Sequence, residues 1–326
     1  MRSAVYLYLK SDMLVLDTFC LRGRASLGRV GRLFSVLCGI VVLIGTQPVR
    51  VRASDSQQSV SHYVTILDQG KPVRSVTTQD LTVLEENKPQ LITGLRFEED
   101  TPVSLGVLID VSRSMGPEGI NLALSWLKFL AETLRSPDEI FVNAFSDESQ
   151  EVVDYISPED YLAEALDHLG TGGQTRTGLA VDLALIKLRD ARNKKKALLL
   201  LSAGRDIAGP ATLDHISKFG FPVYAVGTPG SSGATGTLDR LKNLNLRGSA
   251  LKVYAEHSGG EAQFVESTAE AEQAIARICL QLKNQYRLEY ASSSNRKPGK
   301  MLKVEVKGRV PSWDVRYLKK YPATSR

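Results

Sequence analysis

The chain has 326 residues, of which 43% are hydrophobic and 24% are charged. This balance is ordinary for a globular protein and excludes a disordered, collagen-like or multi-span membrane chain. The formal net charge of +5 belongs to the amino-terminal end, because residues 1–53 carry eight Lys and Arg against two Asp and Glu. The remainder is close to neutral. It gives no basic patch of the kind that nucleic acid requires, so we expect no nucleic-acid partner.

Residues 1–53 have the layout of an export signal. An apolar run, Leu33–Gly45, follows three arginines, and the small residue Ala53 closes the segment. The run is shorter than the roughly 20 residues of a membrane span and has the size of the apolar part of a secretory signal. We predict cleavage after Ala53 and a periplasmic or extracellular protein. The alternative is an uncleaved signal anchor, which would attach the chain to a membrane through this segment alone.

A short linker, residues 54–61, is predicted to follow, and then a small β-region, residues 62–101. Three alternating stretches, Tyr63–Leu67, Leu81–Glu85 and Gln90–Phe97, are separated by turn-forming sequences. Short strands at that spacing are typical of a small antiparallel unit.

Between residues 102 and 284, apolar strands alternate with amphipathic helices. The predicted strands are Val103–Ile109, Ile140–Phe145, Ala197–Ser202, Pro222–Val226 and Ala262–Val265, and the predicted helices are Gly119–Leu134, Pro158–Leu169, Thr177–Arg192, Thr212–Phe219, Leu251–His257 and Thr268–Leu282. Helices between buried strands imply crossover connections, so we predict an α/β, doubly wound, mostly parallel sheet. Residues 285–326 return to a β pattern and form a predicted C-terminal β-tail.

Three packing expectations accompany these elements. The helix Thr177–Arg192 is predicted to turn toward the core its apolar side, which consists of Leu179, Ala180, Leu183, Ala184 and Ile186. The run Lys194-Lys195-Lys196 is predicted to be a solvated helix end, where cations are favoured. Cys279 has apolar neighbours at helical spacing, so it is predicted to be a buried structural thiol.

The sequence Asp110-Val111-Ser112-Arg113-Ser114 directly follows the first buried strand. A carboxylate and two hydroxyls at alternate positions can point at one centre, and hard oxygen ligands of that kind suit Mg²⁺. Ligands of open α/β sheets bind at the carboxyl ends of the strands, where this sequence stands. The alternative is that these side chains cap the following helix and satisfy the backbone of the loop.

The order Asp110-x-Ser112-x-Ser114 after an apolar strand resembles the metal-ion-dependent adhesion site of von Willebrand factor A-type (VWA) and integrin I-type domains. In that family a threonine from a later glycine-containing loop completes the site, and Thr175 in Gly172–Gly178 matches it. The resemblance implies a Rossmann-like fold. It also implies Ser112, Ser114 and Thr175 as direct metal ligands, with Asp110 acting largely through water.

One position departs from the family pattern. The family places an aspartate after the next central strand, and this chain has Ala203 there. The loss of one of two charges is expected to weaken a divalent-cation site. Asp206, three residues further on, is a candidate for a weak substitute.

Sequences on both sides extend the resemblance. Val64–Asp68, Asp80–Glu86 and Pro102–Met115, with the tail from Gln285 to Tyr321, resemble the VWFA-related proteins of the acidobacterial type. Those proteins carry a small β-region before the VWA fold and a β-tail after it. The resemblance covers residues 62–321.

The resemblance implies a protein-recognition module and no enzyme. A cation held by neutral hydroxyls can take an acidic residue of a partner, and the loops around Arg113, Gln174 and Arg176 would contact that partner. The alternative is a metal-independent scaffold or assembly factor of the cell envelope, which Ala203 favours. A hydrolase is disfavoured, because the four histidines are scattered and no G-x-S-x-G sequence is present.

Overall fold

The computed structural model describes residues 58–157, 169–204, 206, 208–227 and 250–323. These residues belong to one compact unit, residues 52–326. The predicted signal segment and residues 158–168 of a predicted helix lie outside the described residues. Within the part of the chain that is described, no helix is both long enough and apolar enough to pass through a membrane.

The described chain holds fourteen strands, five α-helices and one 3-10 helix, Thr78–Asp80. The strands are β1 (Gln58–Asp68), β2 (Lys71–Pro72), β3 (Leu81–Glu85), β4 (Lys88–Glu99), β5 (Val103–Asp110), β6 (Glu139–Phe145), β7 (Ser149–Ile156), β8 (Lys195–Ser202), β9 (Val223–Gly227), β10 (Ala262–Phe264), β11 (Asn284–Ser292), β12 (Met301–Gly308), β13 (Trp313–Tyr317) and β14 (Lys320–Pro322). The helices are α1 (Gly116–Thr133), α2 (Thr177–Arg189), α3 (Pro210–Phe219), α4 (residues 250–258) and α5 (Thr268–Lys283).

One sheet is the α/β sheet that the sequence predicts. Its strand order is β10-β9-β8-β5-β6-β7, and every pair is parallel except β6 with β7. The antiparallel edge strand β7 was not predicted, because its residues are half-buried or exposed and show little apolar patterning.

The apolar runs of the central strands supply both faces of this sheet. Leu199 and Leu201 of β8 pack in the core layer formed with α1 and α5. Leu198 and Leu200 pack in the opposite layer, formed with α2, α3 and α4. Because helices cover both faces, successive residues of β8 must all be apolar, and this produces the continuous run in the sequence.

The second sheet is antiparallel and combines both ends of the described chain. Its order is β13-β1-β11-β4-β3-β12-β14, with β2 paired to β1. Strand β11 lies between β1 and β4, so the predicted β-region and β-tail are parts of a single sheet. Val64, Tyr286 and Tyr290 are buried in its core.

The prediction of a linker at residues 54–61 is wrong for its second half. Strand β1 begins at Gln58, and its residues from Gln58 to Val64 pair with β11. The sequence of this stretch is polar except for Val60, so it carries little strand signal. Pairing with a strand more than 200 residues away orders it.

Two of the packing predictions are wrong in part. Ala180 and Ala184 of α2 are buried as predicted, but Leu179, Leu183 and Ile186 are exposed. The rest of the buried apolar face consists of Val181, Leu185 and Leu188. Both sides of α2 are apolar, so periodicity alone selects no face. Lys194 is exposed as predicted. Lys195 is buried rather than solvated, and its Nζ donates to the Leu282 carbonyl at 3.1 Å.

The prediction for Cys279 is confirmed. It is a free, buried cysteine in the core against α1 and α5. Burial raises the pKa of its thiol to about 12, so the reactive thiolate is disfavoured.

Candidate functional site

The candidate site lies at the carboxyl end of β5, where the chain changes direction in the parallel sheet. From β5 the chain crosses to β6 on one side, and β8 pairs with β5 on the other side. Loops that leave such neighbouring strands in opposite directions open a crevice, and ligands of open α/β sheets bind there. Asp110 ends β5 and Ser202 ends β8, so both residues lie at this switch point.

Three hydroxyl groups meet at this point. The Oγ atoms of Ser112 and Ser114 are 2.8 Å apart. Oγ1 of Thr175 lies 2.8 Å from Ser112 Oγ and 3.3 Å from Ser114 Oγ. The two serines are buried and Thr175 is half-buried. The structure therefore brings together the three hydroxyl side chains that the sequence singles out, although Thr175 comes from a distant loop.

The spacing of these oxygens fits a small octahedral cation. Mg²⁺ holds its ligands at about 2.0–2.1 Å, which places neighbouring ligands about 2.9 Å from one another. The three separations of 2.8, 2.8 and 3.3 Å lie around that value, as on one triangular face of an octahedron. No group of three His, Cys, Asp or Glu with metal-binding geometry occurs among the described residues. A cation at this point would therefore depend on hydroxyls, one carboxylate and water.

The Asp110 carboxylate is held in place by its neighbours. Oδ1 accepts a hydrogen bond from the Ser112 N–H at 2.9 Å, and Oδ2 accepts one from the Ser202 hydroxyl at 2.6 Å. Burial raises the pKa of Asp110, and the hydrogen bonds from Ser112, Ser202 and the Ala203 N–H oppose that rise. No ion pair to Asp110 exists within the described part of the chain.

Sequence reasoning missed Ser202. Its position was visible, because it ends the strand that pairs with β5. Its role could not be inferred, because the family pattern specifies only the next position, Ala203.

Backbone hydrogen bonds dock the Thr175 loop onto the motif. The Gly172 N–H donates to the Val111 carbonyl at 2.9 Å, and the Arg113 N–H donates to the Gly173 carbonyl at 3.3 Å. Backbone groups from both loops are used, so the loop position is fixed independently of the hydroxyl side chains.

Asp147 supports the same loop and was also missed from the sequence. Its Oδ1 accepts a hydrogen bond from the Gln174 N–H at 3.1 Å. Gly173 has a φ of +72°, and a Cβ at that position would collide with the Asp147 carboxylate. Glycine is therefore required there by both backbone conformation and space. The sequence signal for Asp147 is its place just after β6, at the same edge of the sheet.

The helix-capping alternative finds little support at the start of α1. The N-cap residue is Met115, and no side-chain capping hydrogen bond is present there. The hydroxyls of Ser112 and Ser114 are hydrogen-bonded to each other instead. The other half of that alternative holds, because Asp110 satisfies the backbone N–H of Ser112.

Ala203 and Asp206 take different places in the fold. Ala203 is buried and belongs to the hydrophobic core against α1 and α5. Asp206 Oδ2 accepts a hydrogen bond from the Gly178 N–H at 3.4 Å. This contact places the Asp206 carboxylate beside the first turn of α2, where the helix dipole favours a negative charge.

Exposed side chains surround the hydroxyl cluster. Arg113, Gln174 and Arg176 are all exposed. Arg113 lies between the two serines in sequence, and the other two flank Thr175. Two of the three are cationic, and the Asp147 carboxylate lies against the same loop.

A family model for the von Willebrand factor type A domain matches residues 105–270. This span covers half of the chain, and it includes the motif at Asp110 and the loop with Thr175. The chain belongs to the von Willebrand factor type A domain family. The resemblance inferred from the motif is thereby confirmed, and the VWA domain accounts for the α/β part of the fold.

A comparison with solved structures gave matches at low sequence identity. An aerotolerance-related membrane protein from Bacteroides fragilis is 16% identical, with 55% of this chain and 98% of that chain covered and a TM-score of 0.43. BatB from Bacteroides thetaiotaomicron is 15% identical, with 55% and 98% covered and a TM-score of 0.41. A von Willebrand factor type A protein from Catenulispora acidiphila is 14% identical, with 82% and 74% covered and a TM-score of 0.44. A comparison with curated proteins gave no match.

Proposed function

We propose that this VWA domain is an exported protein-recognition module whose hydroxyl cluster holds Mg²⁺. The observation that carries the proposal is the convergence of Ser112, Ser114 and Thr175, with oxygen separations of 2.8–3.3 Å, beside the anchored carboxylate of Asp110. VWA domains are in general interaction modules rather than enzymes, which agrees with a site built mainly from neutral hydroxyls.

Each residue has a distinct part in this proposal. Ser112, Ser114 and Thr175 would hold the cation directly, and Asp110 would act largely through water. When bound, Mg²⁺ supplies an electrophilic centre that takes a carboxylate oxygen from the partner. The neutral hydroxyls leave that positive charge almost undiminished, which favours an external carboxylate.

The environment of Asp110 supports a cation. A buried carboxylate without an opposite charge is costly, and burial raises the pKa of Asp110. A nearby divalent cation would supply the opposite charge and stabilise the ionised form. The exposed Arg113 and Arg176 would add a weaker, longer-range attraction for an acidic partner.

The place of action follows from the predicted signal segment. If residues 1–53 direct export, the module acts in the periplasm or outside the cell. An uncleaved segment would instead leave it anchored to a membrane. Sequencing the amino terminus of the mature protein distinguishes the two. An amino terminus at Ser54 shows cleavage after Ala53, and an intact amino-terminal segment shows an anchor.

The second candidate is a metal-independent scaffold or assembly factor of the cell envelope. Ala203 is the observation that favours it, because a buried methyl group stands where the family has a carboxylate. Asp206 bonds to the Gly178 N–H of α2, and the carboxylate that bonds within the motif is that of Asp110. In this candidate the same loops contact the partner through shape and polar groups alone.

Calorimetric titration of Mg²⁺ and Mn²⁺ into the full chain tests the first candidate. We expect binding in the micromolar-to-millimolar range, lost in Asp110→Ala and in the double variant Ser112→Ala, Ser114→Ala. Ser125→Ala is the matched control, because Ser125 is an exposed serine on α1. If the unaltered protein takes up no cation, the metal-dependent candidate fails and the scaffold remains.

A further inference from the structure

A second cleft lies at the opposite end of the parallel sheet from the hydroxyl cluster. Its volume is about 380 Å³. Its walls include the first residues of β1, Lys196 at the start of β8, Phe221 just before β9, and Tyr321 of β14. These positions are at the amino ends of the parallel strands, whereas Asp110 and Ser202 are at the carboxyl ends. The VWA recognition loops therefore play no part in this cleft.

Strand β1 has a free edge along the cleft. On one side its residues from Gln58 to Val64 pair with β11. On the other side only Val64–Asp68 pair with β13. Among the described strands none pairs with the second edge of residues 58–63. An unpaired edge presents backbone N–H and C=O groups to a chain that runs alongside it.

The shape of the cleft follows this edge. All six residues from Gln58 to Tyr63 line it. The cleft therefore runs along the whole unpaired stretch of β1, and six residues of strand are about 20 Å long. This length suits an extended peptide.

A buried polar atom without a partner lies on the strand that carries the free edge. Nε2 of His62 has no hydrogen-bond partner within the described part of the chain, and His62 lines the cleft. A strand added to this edge places side chains next to His62 on the same face of the sheet.

The charged residues that line the cleft are all basic. Lys194, Lys196 and Lys218 line it, and no Asp or Glu does so among the described residues. Lys194 and Lys218 are exposed, so their ammonium groups are free to follow a ligand. Lys196 is half-buried, and its Nζ donates to the Arg189 carbonyl at 2.6 Å.

We infer that this cleft binds an extended, acidic peptide segment of a partner protein. The segment adds a strand to the free edge of β1 through backbone hydrogen bonds, and its carboxylates lie against the exposed Lys194 and Lys218. This site is independent of the hydroxyl cluster, so failure of metal binding there leaves it unaffected.

The test uses a fluorescein-labelled, end-capped peptide of six residues in which glutamate alternates with valine, together with versions in which threonine or tyrosine replaces the valine. Fluorescence anisotropy with the full chain measures binding at low ionic strength. We expect binding by the acidic peptides and about tenfold weaker binding when lysine replaces glutamate. Two further versions carry N-methyl groups on odd or on even backbone nitrogens. Alternate backbone N–H groups of the bound peptide face β1. The version in which these groups are methylated should lose binding, and the other version should keep it.

Hydrogen exchange and lysine variants locate the bound peptide. The peptide should slow exchange of backbone amides within residues 58–63. The double variant Lys194→Met, Lys218→Met should weaken binding about tenfold, while Lys128→Met, an exposed lysine on α1, should not. The inference is overturned if no acidic peptide binds at millimolar concentration, or if acidic and basic peptides bind equally. It is also overturned if both N-methylated versions bind like the parent, or if free glutamate competes as well as the peptide does.

Discussion

The hydroxyl of Ser202 donates a hydrogen bond of 2.6 Å to Oδ2 of Asp110. This bond joins the carboxyl ends of β8 and β5, the two strands at the switch point. The same hydroxyl accepts a hydrogen bond from the Gly204 N–H at 3.0 Å. Ser202 therefore positions the carboxylate of the candidate metal site and the loop that follows β8 at once.

Ser202→Ala is expected to lower the free energy of unfolding by about 1–3 kcal/mol, because it removes a partner from a buried carboxylate. It should also weaken Mg²⁺ binding, since Asp110 loses one of its anchors. Urea denaturation and calorimetry measure the two effects. Ser125→Ala on the exposed side of α1 is the control and should change the free energy of unfolding by less than about 0.5 kcal/mol. An unaltered Mg²⁺ affinity in Ser202→Ala would show that the bond has no positioning role.

Ala203→Asp restores the carboxylate of the family pattern. We expect at least about tenfold tighter Mg²⁺ binding, because affinity for a divalent cation rises with the charge of its ligands. In the absence of Mg²⁺ the same variant should be less stable, because a second buried carboxylate is placed near Asp110. Calorimetry and thermal denaturation with and without Mg²⁺ measure both effects. Ala203→Asn is the neutral control and should gain no affinity. Equal affinities in the two variants would mean that residue 203 does not face the cation.

Thr175→Ala is expected to abolish measurable Mg²⁺ binding, while Thr175→Ser should keep most of it. The hydroxyl is the candidate ligand, and the methyl group of threonine is not. Because Gly172 and Arg113 dock the loop through backbone hydrogen bonds, the fold should survive either change. Calorimetric titration checks the affinity, and circular dichroism checks the fold. Equal loss in both variants would point to the methyl group and to loop packing instead.

His62 is expected to make stability depend on pH. Burial lowers its pKa from 6.5 to about 4, so the unfolded chain binds the proton at a higher pH than the folded protein does. The free energy of unfolding should therefore fall as the pH drops from about 6.5 to about 4. His62→Phe keeps a ring against Tyr321, whose ring centre is 4.9 Å away, and should flatten this part of the profile. Chemical denaturation at neutral pH and near pH 5 measures the difference. Parallel profiles for the two proteins would contradict the prediction.

Gly106→Ala is expected to lower the free energy of unfolding by about 1–3 kcal/mol through overpacking. A Cβ at position 106 would lie 2.5 Å from a ring carbon of Phe141 and 2.7 Å from a methyl carbon of Leu198. Gly172→Ala is the matched control, because nothing lies within 4 Å of a Cβ at that position. Urea denaturation of both variants measures the difference. Equal stability of the two would show that the central strands adjust at little cost.

The sequence by itself determined the α/β class and the candidate site. The strands β5 and β8 are apolar at every central position because both faces of the sheet are covered, and that continuous run is visible locally. The motif at Asp110 follows directly from its strand, so its place at the carboxyl edge was also visible. The loop with Thr175 was found by its match to the family pattern, and only the fold shows its hydroxyl within 2.8 Å of Ser112.

The tertiary structure decided what local patterns do not encode. The polar start of β1 became a strand only by pairing with β11 from the other end of the described chain, which also joined the two predicted β-segments into one sheet. Helix α2 is apolar on two sides, so packing against the sheet selected its buried face. Lys195 is buried because its Nζ reaches the Leu282 carbonyl, a partner far away in sequence. In each case the deciding contact is long-range, and its energy depends on a neighbour that the local sequence does not contain.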